Sequence, residues 1–161
     1  MEILKPSEVT FNIVCQLIWK MVPPRSFISG LWLRDYEKTP DFKRCFLRIL
    51  PVKDFRYFAF YARNIVMCTP EENDLWKSGT EEQRINYSLD IEEKSQGRQK
   101  AEWGQIKTLQ TSLETEYKKI FPYSKGLIVG YRYSLQEQQE IIGELNKRFF
   151  NRFLLKASIK N

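Results

Sequence analysis

Residues 80–94 read Thr-Glu-Glu-Gln-Arg-Ile-Asn-Tyr-Ser-Leu-Asp-Ile-Glu-Glu-Lys, and this stretch decides the predicted fold. Its first four residues form a helix-capping signature, in which Thr80 and Gln83 satisfy each other's backbone N–H groups. From residue 85 to residue 92, apolar and polar residues alternate strictly, which is typical of a β-strand with one buried face. We therefore predict a strand over 85–92. Because side chains alternate across a strand, three charged groups share its outward face at steps of about 7 Å: Asp90, Glu92 and Lys94.

Upstream of this strand, the spacing of apolar residues predicts a first helix that Ser7 caps and that the Pro23-Pro24 pair stops. Two short apolar runs, residues 27–33 and 42–50, predict strands. Residues 54–68 fit one helical stripe, whereas their many aromatic side chains favour a strand. On the period of the pattern we predict a helix there.

Around and beyond residue 80, the signals alternate between helix and strand. A second capping signature at Thr69-Pro70-Glu71-Glu72 predicts a short helical turn that ends at Gly79. A long helix is predicted over 99–121 and a strand over 126–133. A third capping box at Ser134 opens a final helix through residue 154.

The predicted element order is α-β-β-(α)-β-α-β-α, which indicates a mixed α/β or α+β class. No repeat, low-complexity segment or Gly/Ser linker divides the 161 residues. We therefore predict a single compact domain over residues 1–161, with a small central sheet flanked by three or four helices.

The composition excludes several kinds of chemistry. The chain contains no histidine, which excludes Ser-His-Asp and Cys-His nucleophile activation and His-rich zinc sites. Its three cysteines form no CxxC pair and its glycines are scattered, so neither a zinc knuckle nor a Gly-rich phosphate loop is predicted. With no secretory signal pattern and no apolar run long enough to span a bilayer, we expect a protein without membrane contact in the reducing cytoplasm.

The charge is distributed unevenly along the chain. Residues 1–68 hold 11 basic and 6 acidic residues, and residues 97–161 hold 12 and 6, whereas residues 69–96 hold 3 and 8. Two cationic flanks therefore enclose one acidic segment in a chain of net charge +6. Such a field favours polyanionic partners, of which nucleic acid is the commonest inside a cell.

The acidic segment also contains a candidate metal site. Asp90 and Glu92 on one strand face can hold Mg²⁺, Asp74 can supply a third ligand, and Lys94 can orient or deprotonate an attacking water. This pattern resembles the D…(D/E)xK motif of the PD-(D/E)xK nuclease superfamily, and the element order is similar over residues 7–133. The resemblance implies that Asp74 and Glu92 bind the metal and that Lys94 assists the nucleophile. The alternative is a solvated outer face of a half-buried strand.

The aromatic-basic segment, residues 54–68, is a second candidate site. Arginines mixed with aromatic rings suit stacking on unpaired bases, and the same composition suits a protein interface. A third interpretation is a set of core aromatics covered by the aliphatic parts of arginines. The candidate nucleic-acid-binding residues here are Arg56, Tyr57, Tyr61 and Arg63.

The final helix carries only basic charge after residue 145. Arg148, Arg152 and Lys156 follow at intervals of four, so a continuous helix aligns them in one row, with Lys147 beside it. Such a row suits contact with phosphates, whereas the alternative is a set of cations that stabilises the helix C-terminus through the macrodipole.

These observations predict a nucleic-acid-binding protein, RNA or DNA, that serves as a subunit of a ribonucleoprotein or DNA-processing complex and needs no cofactor. One alternative is a Mg²⁺-dependent nuclease of the PD-(D/E)xK type. The other is a protein-interaction subunit or inhibitor that binds no nucleic acid.

Overall fold

The computed structural model describes residues 8–122 and 132–160, and the side chains of residues 11–122 and 132–154. These residues form five α-helices and one antiparallel pair of short strands, which agrees with the predicted α+β class. The helices are α1 Glu8–Met21, α2 Pro70–Ser78, α3 Glu81–Lys94, α4 Gly104–Ile120 and α5 Leu135–Lys160, and the strands are β1 Phe46–Arg48 and β2 Ile65–Met67. None of the helices in these described ranges is both long enough and apolar enough to cross a bilayer.

The chain divides into two compact units whose segments interleave in sequence. Unit 1 comprises Met1–Val22, Leu50–Asn64 and Gln110–Asn161, and unit 2 comprises Pro23–Ile49 and Ile65–Leu109. The single domain over residues 1–161 stays a prediction.

The core of unit 1 is aromatic. Tyr57, Phe58, Tyr117 and Phe121 are at most 5 % exposed, and their rings pack in edge-on, tilted and stacked pairs. The Tyr57 and Phe121 centroids are 4.8 Å apart and those of Phe58 and Tyr117 are 4.9 Å apart. Offset and edge-to-face arrangements match the negative face of one ring to the positive edge of the next. Aromatic packing therefore contributes much of the apolar burial in this unit.

The helix predicted over 54–68 is wrong. The segment folds as two short 3₁₀ turns, Arg56–Phe58 and Ala62–Asn64, followed by β2. The buried side chain of Asn64 accepts a hydrogen bond from Leu50 N and donates to the carbonyl of Phe58, at 2.8 and 3.2 Å. The carbonyl of Phe58, which a helix would pair with the N–H of Ala62, is thus satisfied by an amide side chain.

Unit 2 contains the strand pair. β1 and β2 pair in the register Phe46↔Met67, Leu47↔Val66 and Arg48↔Ile65. The strand predicted over 42–50 is therefore confirmed only in its middle, because residues 42–45 form a 3₁₀ turn. The strand predicted over 27–33 is wrong, because those residues form a turn whose flanks meet in one isolated bridge between Arg25 and Trp32.

The strand predicted over 85–92 is also wrong, since these residues lie in α3. Thr80 Oγ1 accepts the N–H of Gln83 and Gln83 Oε1 accepts the N–H of Thr80, so the capping box closes and a helix begins at once. The buried members of the alternating pattern, Tyr87 and Ile91, are four residues apart, which is the spacing of one helix face.

The remaining predicted elements are largely confirmed. The capping boxes at Thr69 and Ser134 both close, and they begin α2 and α5. The long helix α4 is confirmed with shorter bounds, and α5 continues past residue 154 to Lys160. Ser7 and most of the strand predicted over 126–133 lie outside the described residues, and the described residues 132 and 133 are not in a strand.

Candidate nucleic-acid interface

Unit 2 carries an open cleft of about 960 Å³ whose lining is mainly polar. One wall is the turn over residues 26–30, and the other is the loop that follows α3, residues 95–100. Two hydrogen bonds join the walls, from Glu102 N to the carbonyl of Ile28 at 2.8 Å and from Gln99 Nε2 to the carbonyl of Gly30 at 3.4 Å. The cleft is therefore built from segments about 70 residues apart in the sequence.

The charge of the cleft is strongly positive. Its lining contains one carboxylate, Glu102, and four cations: Arg25, Lys94, Arg98 and Lys100. Lys94 Nζ pairs with Asp90 Oδ2 at 3.0 Å. Within the side chains that the structure describes, the other three cations have no carboxylate within ion-pairing distance. Unneutralised cations around a concave surface favour an anionic ligand.

The wall over residues 26–30 is organised by Ser26, whose side chain is buried. Ser26 Oγ accepts the N–H groups of Ile28 and Ser29, both at 3.0 Å, and the backbone of Gly30 donates to the carbonyl of Ser26 at 2.9 Å. Gly30 has φ +77°, a conformation that favours glycine. The turn is thus held by its own first residue.

A buried carboxylate anchors that serine. Glu72 in α2 is fully buried, and its Oε1 accepts hydrogen bonds from Ser26 Oγ at 2.6 Å and from Thr69 N at 2.8 Å. Its Oε2 accepts the hydroxyl of Tyr87 at 2.9 Å. Burial, followed by the charge of Glu72, raises the pKa of Tyr87 above its usual value, so the hydroxyl stays a donor. The capping box that begins α2 therefore also fixes the cleft wall.

The second wall is the turn that ends α3. Two consecutive residues, Gln96 and Gly97, have φ of +54° and +79°. The N–H of Gly97 donates to the carbonyl of Glu92 at 2.8 Å, which is the bond pattern of a helix terminated by a left-handed residue. Ser95 Oγ accepts the N–H of Gln99 at 2.9 Å. The helix stops sharply, and the following residues turn their cations toward the cleft.

The structure places the predicted metal ligands on two helices. Because α3 is a helix, Asp90 and Lys94 are four residues apart on one side of it and form an ion pair, whereas Glu92 lies on another side. Asp74, on α2, forms an ion pair with Arg44. No group of three or more acidic or cysteine side chains in the described residues is arranged to hold a metal ion. The shared strand face from which the metal site was inferred is therefore absent.

The local electrostatics also differ from those of a base that deprotonates water. The hydrogen bond to Asp90 and its charge raise the pKa of Lys94 above the usual lysine value. A lysine that accepts a proton near neutral pH needs a lowered pKa. Lys94 is better suited to holding a fixed positive charge at the rim of the cleft.

Among the aromatic-basic candidates, Tyr57 and Tyr61 are only 5 % and 4 % exposed. Their rings pack in the core of unit 1, so in this conformation they cannot stack on bases, and the interpretation as core aromatics is the one that fits. Arg63 is engaged by Glu116 at 3.3 Å and by Ser112 Oγ at 2.7 Å. Arg56 is exposed beside the ring of Tyr57.

The basic row on α5 is placed on a continuous helix, as its spacing predicts. Lys147, Arg148 and Arg152 are exposed. The only acidic neighbour within reach of this described row is Glu144, at 3.9 Å from Arg148 Nε, and both side chains are well solvated. The side chain of Lys156 lies outside the described residues.

Apart from Lys94, which the sequence assigned to a metal site, sequence reasoning missed the charged residues that line the cleft. A signal was present, because Lys94, Arg98 and Lys100 fall within seven residues that contain no acid. Arg25 had no such signal, since only the fold brings it near them.

Comparison with known proteins adds no assignment. No protein-family model, no curated protein and no solved structure matches the chain. Function is therefore inferred from the geometry of the chain itself.

Proposed function

We propose that this protein binds nucleic acid through the phosphate backbone, with the cleft of unit 2 as the main contact surface. The observation that carries the proposal is the set of unneutralised cations, Arg25, Arg98 and Lys100, around a polar cleft. Phosphate contacts by Lys and Arg release condensed counterions and supply most of the sequence-independent affinity for nucleic acid.

The exposed row on α5 supports the same function from unit 1. Lys147, Arg148 and Arg152 add positive charge there, and among these three described side chains only Arg148 has an acidic partner, Glu144. We also propose a reducing, cytoplasmic setting, because Cys45 and Cys68 are buried free thiols. A binding surface of this kind is consistent with a subunit of a ribonucleoprotein or DNA-processing complex.

The nuclease alternative has less support, because Asp74 lies on α2 and pairs with Arg44, while Asp90 and Glu92 lie on different sides of α3. Likewise, most aromatic side chains of the aromatic-basic segment are buried, which supports a role in the core over a role in a protein interface. Backbone binding is therefore the function that the described geometry supports best.

The proposal is tested by fluorescence anisotropy with a labelled 20-mer duplex at 50 and 200 mM salt. With about four phosphate contacts the salt slope is roughly −3.6, so affinity falls roughly 150-fold between these conditions. The double variant Arg98→Glu, Lys100→Glu should bind far more weakly than the wild type and lower the slope by about 2.

A matched control is the double variant Lys38→Glu, Lys53→Glu, which changes net charge equally at two exposed lysines outside the cleft. A local interface predicts that this control retains most of the affinity. Wild-type protein that ignores both single-stranded and duplex oligonucleotides at 50 mM salt would overturn the proposal. Equal losses in the two double variants would show that net charge, and not the cleft, is responsible.

A further inference from the structure

Trp32 is the exposed aromatic side chain next to the cleft. It is 49 % exposed, whereas the aromatic rings of the unit 1 cluster are almost fully buried. The chain reverses between Arg25 and Trp32, which face each other in an isolated antiparallel bridge, with Leu33 N bonded to the carbonyl of Pro24 at 2.8 Å. The indole is therefore held in place by the same turn that forms one wall of the cleft.

Two guanidinium groups lie against this ring. The Cζ of Arg25 is 4.0 Å from the ring centroid of Trp32, and the Cζ of Arg34 is 5.1 Å away. Neither arginine has a carboxylate partner among the described side chains. The three side chains form a half-exposed π stack that keeps its positive charge, which we call the Trp32 stack.

Arg25 joins the Trp32 stack to the cleft, since it also lines the cleft with Arg98 and Lys100. Through Arg25, the exposed ring of Trp32 therefore lies next to the cations that we propose bind phosphate. In a nucleotide, the base and its phosphate are separated by one sugar. A ligand with a phosphate in the cleft can thus present its own or a neighbouring base to the stack.

We propose that unit 2 recognises single-stranded nucleic acid, holding a backbone phosphate in the cleft while an adjacent unpaired base stacks on the Trp32 stack. This inference rests on the proposed nucleic-acid binding and adds the substrate class to it. Unpaired bases stack readily on indole rings and on arginine planes, whereas the bases of a duplex are stacked on each other and cannot be reached in this way.

The test compares three labelled oligonucleotides: a single strand without secondary structure, a duplex of the same sequence, and the single strand with abasic sites. Trp32→Leu is the test variant. Trp76→Leu is its control, because Trp76 is also in unit 2 and also lies near an arginine, Arg84, but does not line the cleft. Circular dichroism confirms that each variant is folded.

We expect Trp32→Leu to weaken single-strand binding about 10-fold and to leave duplex binding unchanged within about 2-fold, while Trp76→Leu changes neither. Abasic substitution should weaken wild-type binding by a similar factor, and it should have little further effect on Trp32→Leu because both changes remove the same contact. Trp32→Phe, which keeps a ring, should retain part of the affinity.

The outcomes separate the two proposals. If the wild type binds neither strand nor duplex, the proposed function fails and this inference fails with it. If the wild type binds in a salt-dependent, cleft-dependent manner but Trp32→Leu binds the single strand normally, only the stacking inference is overturned. Equal losses on single strand and duplex in Trp32→Leu would also overturn it, because they indicate a structural role for the indole.

Discussion

Replacing Glu72 with leucine removes the acceptor that three buried donors share: Ser26 Oγ, Thr69 N and Tyr87 Oη. A buried donor left without an acceptor costs about 1–3 kcal/mol, so three donors give about 3–9 kcal/mol. Burial of the leucine side chain returns about 2 kcal/mol, and both hydroxyls can rotate toward weaker acceptors. We therefore expect a loss of about 4 kcal/mol in the free energy of unfolding.

Glu72→Gln is the matched control. Its amide oxygen can still accept the hydrogen bonds of Ser26 and Thr69, and its NH₂ group can donate to the Tyr87 hydroxyl oxygen, which reverses that bond without losing it. The loss of charge-assisted hydrogen bonding should cost about 1 kcal/mol. The two variants differ in whether the three donors keep an acceptor. The difference between their free energies of unfolding therefore measures the contribution of these hydrogen bonds.

Urea unfolding followed by circular dichroism checks this. With an m value of roughly 2 kcal/mol/M, the midpoint should fall by about 2 M in Glu72→Leu and by about 0.5 M in Glu72→Gln. Replacement of a buried charge by an apolar residue can be neutral when the surroundings repack. A Glu72→Leu protein at least as stable as Glu72→Gln would therefore refute the reasoning that the three donors depend on this carboxylate.

Three further predictions concern stability. Burial, and next the charge of Asp41, raises the pKa of Cys45 from 9.0 to about 11. Between these pH values the unfolded chain releases the thiol proton and the folded protein keeps it, so the free energy of unfolding falls as the pH rises. In Cys45→Ala, the free energy of unfolding should fall less steeply over this pH range when unfolding is measured as a function of pH. Gly143 lies inside α5 with open space where a Cβ would be, so Gly143→Ala should stabilise by about 0.5–1 kcal/mol in thermal unfolding. Gly97→Ala, at φ +79°, should destabilise by about 1 kcal/mol, and a gain there would contradict the left-handed helix end.

Local capping signatures marked the starts of three helices, although at Thr80 the alternating pattern that follows led to a predicted strand. The capping boxes at Thr69, Thr80 and Ser134 all close, because each depends on residues only three positions apart. The period of an apolar pattern was less reliable. Strict alternation contains pairs four residues apart, and α3 uses one such pair, Tyr87 and Ile91, while it leaves the other alternating positions exposed.

The cleft could not be predicted because it depends on contacts far apart in the sequence. Nothing local indicates that the turn after Ser26 meets the loop after α3, since the bonds that join them span about 70 residues. The same is true of the buried hydrogen bond between Ser26 and Glu72, which are 46 residues apart. Charge counting did identify a basic protein, but it could not show which cations face one cleft.

The interleaving of the two units affects the order in which they can fold during synthesis. Every segment of unit 2 precedes Gln110, whereas in unit 1 Asn146 of α5 bonds to Phe60 and Ala62, 86 and 84 residues earlier. At typical translation rates of about 5–20 residues per second, residues 50–64 wait several seconds on the ribosome before α5 emerges. During that interval the hydrogen bonds between Asn146 and the backbone of Phe60 and Ala62 cannot form, so residues 50–64 complete their native contacts only after α5 has been synthesised.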